Sequence, residues 1–334
     1  MTGAPAYAET IALGAFRQSG FDTGVVKVAV PMEYTPHGLI VPVEINGVLL
    51  RLTVDTGASR TVLFTAAAKR AGLKPGGMEP LRLPDSKIET ARLGLGSTIR
   101  IGHAWTRNEP VLIIPPPPTA PARLDGALGI ATLRDWDLRL DIPRREMTLF
   151  PVGQADALSG ETYLRLFLSP PKDKKYAETQ SRPALVFIPL VVNRHTVMAL
   201  LDTGYGGRLS IPSELAEKLE PGILARSTAV IVGSMTASGI MKEREAALTE
   251  VVFRNDVFHA YPVILEIIPR KSPLGGHGTV GLGLLRHYVM TFSFRRERLA
   301  LKPAGTPGES ASDPQSFRTE SAPRSGPSNR SDLR

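Results

Sequence analysis

Two aspartates in this chain are each followed by threonine and glycine at the end of an apolar run, a setting in which carboxyl groups can do acid–base chemistry. The triplets are Asp55-Thr56-Gly57 and Asp202-Thr203-Gly204. One Asp-Thr-Gly arises readily by chance, whereas two in matching surroundings form a more specific pattern. The sequence therefore predicts that Asp55 and Asp202 belong to one site.

The triplets lie in two halves of the chain that repeat each other. Residues 41–57 align without a gap with residues 188–204, and the Pro, the Asn and the whole triplet coincide. Residues 126–136 align in the same way with residues 278–288. A repeat of this length indicates two duplicated lobes rather than a solenoid.

Two neighbouring carboxyl groups can hydrolyse a peptide bond without a metal or a covalent nucleophile when they share one proton. One then acts as a base toward water and the other as an acid. Two negative charges about 4 Å apart repel by on the order of 4 kcal/mol at an effective dielectric near 20. This repulsion separates the two titration steps by roughly three pKa units, so one group stays protonated while the other is ionised.

With these residues the chain resembles the bacterial retropepsin-like and pepsin-like aspartic proteases, in which each lobe gives one Asp-Thr-Gly loop and one later apolar-apolar-Gly segment. The resemblance covers roughly residues 38–152 and 183–302. It implies a mainly β, bilobal acid protease fold, with two pseudo-twofold-related β-barrel-like lobes and short helices. It also implies an aspartic endopeptidase in which Asp55 and Asp202 activate a water.

The resemblance assigns further roles around the two aspartates. Thr56 and Thr203 would bond across the dyad axis to the opposite loop, and Ser59 would orient Asp55. Gly57 and Gly204 lack a Cβ, which lets the two loops approach closely. The apolar-apolar-Gly segments would pack behind the loops and support them through Leu128, Gly129, Val280 and Gly281.

The second loop departs from the family pattern. Tyr205-Gly206-Gly207 stands where a small or hydroxyl residue is usual, so nothing corresponds to Ser59. This departure predicts a less firmly held Asp202 with an altered pKa. It also keeps an alternative open, in which the protein is a catalytically inactive peptide-binding module of the same fold.

Local patterns give each half the same order of elements. Val41–Ile45 and Val48–Val54 are typical of strands joined by an Asn46-Gly47 hairpin turn. After the triplets, Thr65 and Ser213 are expected to cap short helices. Substrate-covering flaps are expected between triplet and Gly segment in each half, at Leu83–Thr90 and Val232–Met241.

The repeat divides the chain into five parts. These are an N-terminal extension (1–37), an N-terminal protease lobe (38–152), an interlobe linker (153–182), a C-terminal protease lobe (183–302) and a tail (303–334). The tail is rich in Ser, Pro, Gly and Arg, which predicts disorder. The extension is compatible with a propeptide, although its composition does not demand one.

Composition argues against several other classes. Hydrophobic residues make up 42% and charged residues 22%, as in soluble globular proteins. No run approaches the roughly 18 apolar residues of a membrane helix. The absence of cysteine excludes a thiol nucleophile and a disulfide framework, and the six histidines show no metal-ligand spacing. We therefore expect neither a metal nor a cofactor.

The net charge of +8 raises the question whether the protein binds nucleic acid. The arginines are scattered among acids and no recognised nucleic-acid-binding module surrounds them, so a polypeptide substrate is the expected partner. An adaptor that binds acidic partners through a basic surface is a second alternative. Because one chain holds both halves, catalysis is not expected to require a dimer.

The remaining expectations concern the N-terminal region. As written, the sequence lacks the basic start and apolar segment of a secretory signal, which predicts a cytoplasmic protein. Residues 4–9 nevertheless resemble the end of a cleavage site, and an upstream signal would make the protein periplasmic or secreted. A third triplet, Asp22-Thr23-Gly24, follows no apolar strand and is expected to be a turn.

Overall fold

A computed structural model describes residues 17–35, 38–82, 88–118, 120–155, 163–166, 185–236, 239–267 and 277–304. All of them belong to one compact unit, Met1–Ala304. Among these residues, no helix has the length and apolar character needed to span a bilayer. The predictions for the flap tips and for most of the linker and the tail cannot be compared with the structure. They concern residues outside the described ones, namely 83–87, 156–162, 167–184, 237–238 and 305–334.

The described residues form three β-sheets and several short helices. The first sheet contains β1 (Gln18–Phe21), β3 (Glu33–Thr35), β4 (Gly38–Ile45), β5 (Val48–Val54), β6 (Val62–Phe64), β7 (Lys74–Arg82), β8 (Ile88–Leu95), β9 (Thr98–Ile101), β10 (Ala104–Arg107), β11 (Val111–Ile114) and β12 (Gly126–Leu128). The second contains β16 (Phe187–Val192), β17 (His195–Leu201), β18 (Leu209–Pro212), β19 (Ile231–Thr236), β20 (Gly239–Phe253), β21 (Asp256–Glu266) and β22 (Gly278–Val280). The third contains β2 (Val28–Pro31), β13 (Asp137–Asp141), β14 (Glu146–Phe150), β15 (Tyr163–Arg165), β23 (Tyr288–Ser293) and β24 (Arg298–Pro303). The helices are α1 (Thr65–Arg70), α2 (Ile130–Leu133), α3 (Ser213–Leu219), α4 (Ile223–Arg226), α5 (Leu282–Leu285) and a 3₁₀ turn (Phe294–Arg296).

The fold is mainly β, as expected from the sequence, and its organisation is that of a bilobal β protease. The first sheet runs in the order β1-β10-β9-β4-β5-β12-β6-β11-β8-β7, with β3 added beside β4. The second runs β16-β17-β22-β18-β21-β20-β19, and pairing of β16 with β20 closes six of its strands into a barrel. Each triplet follows a strand whose last apolar residues are buried, so a packed core fixes the start of each loop.

The third sheet joins the two halves through a pair of equivalent strands. β13 and β23 lie at its centre, in the order β15-β24-β23-β13-β14-β2. Arg139 pairs with Thr291, and each lies thirteen residues after the first glycine of its aligned segment, Gly126 or Gly278. Each residue at this point therefore faces its own counterpart, which locates a local twofold axis between the halves.

The two strand-to-strand turns preserve the repeat in hydrogen-bonding detail. Asn46 has a left-handed φ of 51°, donates from Nδ2 to the Ala71 carbonyl (3.0 Å) and accepts at Oδ1 from the Thr98 N–H (2.7 Å). Asn193, with φ 46°, donates to the Leu219 carbonyl (3.3 Å). Its Oδ1 accepts from the Glu250 N–H (2.9 Å). In each half the asparagine thus ties the hairpin to a helix end and a neighbouring strand.

Both helices expected after the triplets are present, but the expected caps were wrong. Neither Thr65 nor Ser213 caps a helix; each is the first helical residue instead. The Thr65 hydroxyl donates to the Ile114 carbonyl (3.2 Å), and the Ser213 hydroxyl to the Glu266 carbonyl (3.0 Å). In both halves the hydroxyl therefore links the start of the helix to the end of an adjacent strand.

The described part of the predicted N-terminal extension is integrated into the body. β1 pairs with β10, β2 with β14 and β3 with β4. Arg17 donates to the Asp135 carboxylate (2.6 Å) and to the Ala131 carbonyl (2.6 Å). Residues 17–35 therefore contribute to two of the three sheets.

Replacing Asn46 or Asn193 with Gly should lower the free energy of unfolding by about 1–3 kcal/mol. Glycine keeps the left-handed backbone accessible, so the loss reports the two side-chain hydrogen bonds. Urea denaturation measures it. Arg194, next to Asn193, has φ 67° where the first half has Gly47. Arg194→Gly is the matched control and should stabilise by up to about 1 kcal/mol; destabilisation by all three changes would contradict this account.

Candidate active site

Each triplet aspartate begins a loop that its own apolar-apolar-Gly segment anchors. β12 lies parallel to β5, and the Asp55 N–H donates to the Leu128 carbonyl (3.0 Å). β22 lies parallel to β17, and the Asp202 N–H donates to the Val280 carbonyl (2.9 Å). The residues expected to support the loops are therefore in contact with them.

The glycine that follows each of these strands allows the start of a helix to pack against the triplet loop. A Cβ on Gly129 would lie 2.2 Å from the Arg60 carbonyl oxygen, and one on Gly281 would lie 2.4 Å from that of Gly207. The backbone amide of the residue after each glycine adds a hydrogen bond to the loop. The Ile130 N–H donates to the Ala58 carbonyl (2.9 Å), and in the second half Leu282 N–H donates to the Tyr205 carbonyl (2.8 Å).

Thr56 and Thr203 join the two loops through crossed hydrogen bonds. The Thr56 N–H donates to Thr203 Oγ1 (3.1 Å), and the Thr203 N–H donates to Thr56 Oγ1 (3.0 Å). Each hydroxyl then donates to the carbonyl that precedes the opposite aspartate, Leu201 for Thr56 (2.6 Å) and Val54 for Thr203 (2.7 Å). Both side chains are fully buried. The two halves are thus fastened to each other at the triplets.

Each carboxyl group lies over the glycine of the opposite triplet. A Cβ on Gly57 would be 2.4 Å from Cγ of Asp202, and a Cβ on Gly204 would be 2.7 Å from Cγ of Asp55. Any side chain at either position would displace a carboxyl. The glycines therefore make room for the carboxyls of Asp55 and Asp202 to approach each other.

Backbone amides orient the two carboxyls almost identically. Asp55 Oδ1 accepts from the N–H groups of Gly57 and Ala58 (both 2.9 Å). Asp202 Oδ1 accepts from the N–H groups of Gly204 (2.8 Å) and Tyr205 (3.1 Å). The unusual second loop therefore holds its aspartate with the same two bonds as the first.

Ser59 does not have the contact that the family resemblance implies. Within the described residues, no hydrogen bond links the Ser59 hydroxyl to Asp55; the Ser59 carbonyl instead accepts from the Ala131 N–H (3.1 Å). The tight turn already brings two amides to Asp55 Oδ1, so a hydroxyl is not needed there. The missing counterpart of Ser59 in the second loop consequently removes no carboxyl contact seen in the first.

Burial and mutual repulsion change the acidity of the pair. Burial raises the pKa of Asp55, while the Gly57 and Ala58 amides oppose that rise. Burial raises the pKa of Asp202 well above its usual value, and the neighbouring charge of Asp55 adds to the effect. Two like charges in a desolvated setting do not ionise together readily. The pair can therefore hold one proton between an ionised and a neutral carboxyl.

Two hairpins occupy the places where flaps are expected. β7 pairs with β8, and β19 with β20. The expected flaps, Leu83–Thr90 and Val232–Met241, fall on the ends of these hairpins, and residues 83–87 and 237–238 lie outside the described residues. The hairpins fit the expectation, whereas the flap tips stay a prediction. The third triplet is the turn expected of it, since the Val25 N–H donates to the Asp22 carbonyl (3.1 Å).

Sequence analysis overlooked a set of residues around Tyr205. The ring of Tyr205 covers Gly207 and Gly281, because a Cβ on either glycine would lie within 2.5 Å of ring atoms. Sequence position alone gave no reason to bury this tyrosine. Gly206 and Gly207, which replace Ser59 and Arg60 of the first loop, are the sequence signal beside this tyrosine.

Parts of the chain are similar to known proteins. Residues 41–132 match the Asp_protease_2 family model, described as aspartyl protease. Protein DNA-DAMAGE INDUCIBLE 1 of Arabidopsis thaliana is 28% identical over 151 residues, which is 40% of this chain and 33% of that relative. The match thus spans about a third of the relative's length. The crystal structure of basic 7S globulin from soybean aligns with a TM-score of 0.49 and 11% identity, over 84% of this chain and 96% of that chain.

The matched segment contains the first triplet and ends before the second. It supports an aspartyl protease domain in the first half of the chain. The second half is related to it by the internal repeat and by the shared hydrogen-bond pattern described above.

Thr56→Val should lower the free energy of unfolding by about 2–4 kcal/mol. The change leaves the buried Thr203 N–H and the Leu201 carbonyl without their partner. Thr203→Val should cost a similar amount, because the bonds are reciprocal. Thr56→Ser keeps the hydroxyl and is the control. Chemical denaturation measures all three, and equal stabilities of the Val and Ser variants would refute the crossed bonds as a stabilising contact.

The raised pKa values predict a pH-dependent stability. Both aspartates keep a proton to higher pH when folded than when unfolded, so the folded state binds more protons above about pH 4. Stability should therefore fall as pH rises from there through the raised pKa values. Asp202→Asn should flatten this fall, by about 1.4 kcal/mol for each pKa unit of elevation removed. Thermal unfolding from pH 4 to pH 8 tests this; parallel curves would contradict it.

Proposed function

We propose that this protein is an aspartic endopeptidase, which hydrolyses peptide bonds through a water activated by Asp55 and Asp202. The observation that carries the proposal is the crossing of the two carboxyls, each seated over the opposite triplet's glycine. Two half-buried acids brought together by the reciprocal hydrogen bonds of Thr56 and Thr203 have raised pKa values, and such groups are candidates for acid–base catalysis.

The chemistry follows from the shared proton. The ionised carboxylate takes a proton from water as the water oxygen bonds to the peptide carbonyl carbon, and the neutral carboxyl gives its proton to the carbonyl oxygen. The resulting tetrahedral intermediate breaks its C–N bond when the nitrogen receives a proton from the acid formed in the first step. The gem-diol loses its other proton to the dyad, which returns to one proton. No metal or cofactor enters this sequence.

The substrate would be a polypeptide held between the dyad and the two hairpins β7–β8 and β19–β20. An extended chain suits a cleft of this kind, since strand edges can pair with its backbone. One chain supplies both aspartates, so a monomer should suffice for turnover. The proposed lobe boundaries, 38–152 and 183–302, assign one aspartate to each lobe.

Asp55→Asn and Asp202→Asn should each lower kcat/KM on an unfolded protein substrate by on the order of 10³-fold, because each removes one acid–base group. Asp22→Asn is the matched control, since Asp22 also begins an Asp-Thr-Gly triplet but pairs with Arg100 (2.6 Å) and His103 (3.0 Å) elsewhere. It should keep full activity. Peptide products are quantified by mass spectrometry between pH 3 and pH 8.

The outcomes separate the proposal from its two alternatives. Wild-type protein that binds peptides without cleaving them would be a peptide-binding module. Binding to acidic partners that weakens steeply with increasing salt concentration, and that is equally strong in the wild type and in both Asn variants, would indicate an adaptor. Activity that survives in both variants would refute the dyad.

A further inference from the structure

Arg17 belongs to the part of the chain that precedes the internal repeat, and backbone pairing fixes its place. The next residue, Gln18, pairs with Arg107 in the β1–β10 ladder. The Thr106 hydroxyl also donates to the Gln18 carbonyl (3.1 Å). Arg17 therefore lies beside the segment that follows β10, where only 19% of its side chain is exposed.

Two buried acids hold the guanidinium of Arg17. Its Nη2 donates to Asp135 Oδ2 (2.6 Å), and its Nε lies against the Glu109 carboxylate. Burial raises the pKa of both carboxyls, and the charge of Arg17 is the largest effect that opposes this rise. A buried carboxylate is costly unless a cation pairs with it. Among the described residues, Arg17 is the cation that contacts both acids.

The same guanidinium binds the short helix α2. Its Nη2 also donates to the Ala131 carbonyl (2.6 Å). In a longer α-helix this carbonyl would accept from the N–H four residues later, which is that of Asp135. The Asp135 N–H instead donates to the Thr132 carbonyl (3.2 Å). Arg17 therefore satisfies a carbonyl that the end of the helix leaves without an internal partner.

α2 connects this arginine to the loop that carries Asp55. The Ala131 N–H donates to the Ser59 carbonyl (3.1 Å), and the Ile130 N–H donates to the Ala58 carbonyl (2.9 Å). The Ala58 N–H in turn donates to Asp55 Oδ1 (2.9 Å). A continuous series of contacts thus runs from the guanidinium, through the helix, to the carboxyl.

The second half keeps the helix but not the two acids. Asp135 aligns with His287 in the repeat. Glu109 corresponds to Tyr261, since each follows a residue with a left-handed φ, of 58° and 49° respectively, and each precedes a proline. α5 nevertheless binds its loop through two backbone amides, as α2 does. The acids are therefore specific to the half that receives Arg17 and are not part of the shared scaffold.

We propose that Arg17 is a positioning residue for the loop that carries Asp55, and that the chain from Arg17 onward is a working part of the peptidase rather than a removable propeptide. The inference rests on the proposed function, because it concerns the same carboxyl pair. Composition alone left a propeptide open for residues 1–37. Loss of Arg17 would deprive two buried acids and a helix carbonyl of their shared partner, which the loss of a dispensable segment would not do.

The test variant removes the bond to α2 without leaving buried charges behind. Arg17→Met alone would leave both acids exposed to the cost of an unpaired buried charge. Combined with Glu109→Gln and Asp135→Asn, it removes all three charges together, and such neutral replacements are often tolerated. Arg295→Met is the matched control. Arg295 also approaches Asp135 (3.9 Å), but no hydrogen bond joins it to α2 among the described residues.

Kinetics on an unfolded protein substrate give the first readout. In the triple variant kcat should fall by on the order of 10- to 100-fold, because the Asp55 loop loses its support. KM should stay within about twofold, since the change does not touch the substrate cleft. Arg295→Met should keep the wild-type kcat. A wild-type kcat in the folded triple variant, or an equal loss in Arg295→Met, would overturn the proposal.

Hydrogen exchange gives a readout that does not need turnover. The amides of Ala58, Ile130 and Ala131 should exchange at least about tenfold faster in the triple variant, because local opening becomes easier there. The matching amides of the second half, Leu282 and Gly283, should keep their rates. Unchanged rates in the first half, or equal acceleration in both halves, would contradict the proposal. An inactive wild type would refute the proposed function, whereas selective acceleration would still support the role of Arg17.

Mass spectrometry tests the claim about processing. The wild-type protein is incubated at acidic pH, and the N-terminus of each active form is determined. We expect every active form to retain Arg17, even where residues before it are removed. A fully active form that begins after Arg17 would overturn the proposal.

Discussion

The site depends on holding two mutually repelling carboxyls in contact. Their repulsion is on the order of 4 kcal/mol when both are charged. Four buried hydrogen bonds between Thr56, Thr203 and the opposite strand ends lie directly beneath them. At about 1 kcal/mol net for each bond, this fastening is of the same size as the repulsion. A proton shared between the two carboxyls would remove most of the remaining cost, and in the proposed function the same pair would supply both the acid and the base.

Two rigid supports make this contact reproducible. The parallel pairs β12–β5 and β22–β17 hold each aspartate from its own half, while the β13–β23 pair joins the halves at a distance from the site. Because the parallel pair appears in both halves and the β13–β23 pair joins them, the geometry of one loop constrains that of the other. The amide bonds to Asp55 and Asp202 match within 0.2 Å for this reason.

Sequence reasoning succeeded where chemistry and spacing are local. The Asn46-Gly47 turn lies where it was predicted, because left-handed turns restrict which residues fit. It failed where a side chain can form hydrogen bonds with several partners, some of them distant in the sequence. Thr65 and Ser213 bond neighbouring strands instead of capping helices, and Ser59 leaves Asp55 to backbone amides.

The pairing of Arg139 with Thr291 bears on how such a chain can evolve. In an assembly of two identical halves, the residue on the axis would meet a copy of itself, and an arginine there would oppose another arginine. Fusing both copies into one gene lifts that restriction, because each copy then mutates independently. Here an arginine faces a threonine at the axis, and Asp141 lies beside the arginine (3.2 Å). A chain that pairs with an identical copy of itself cannot place two different residues opposite each other at this point.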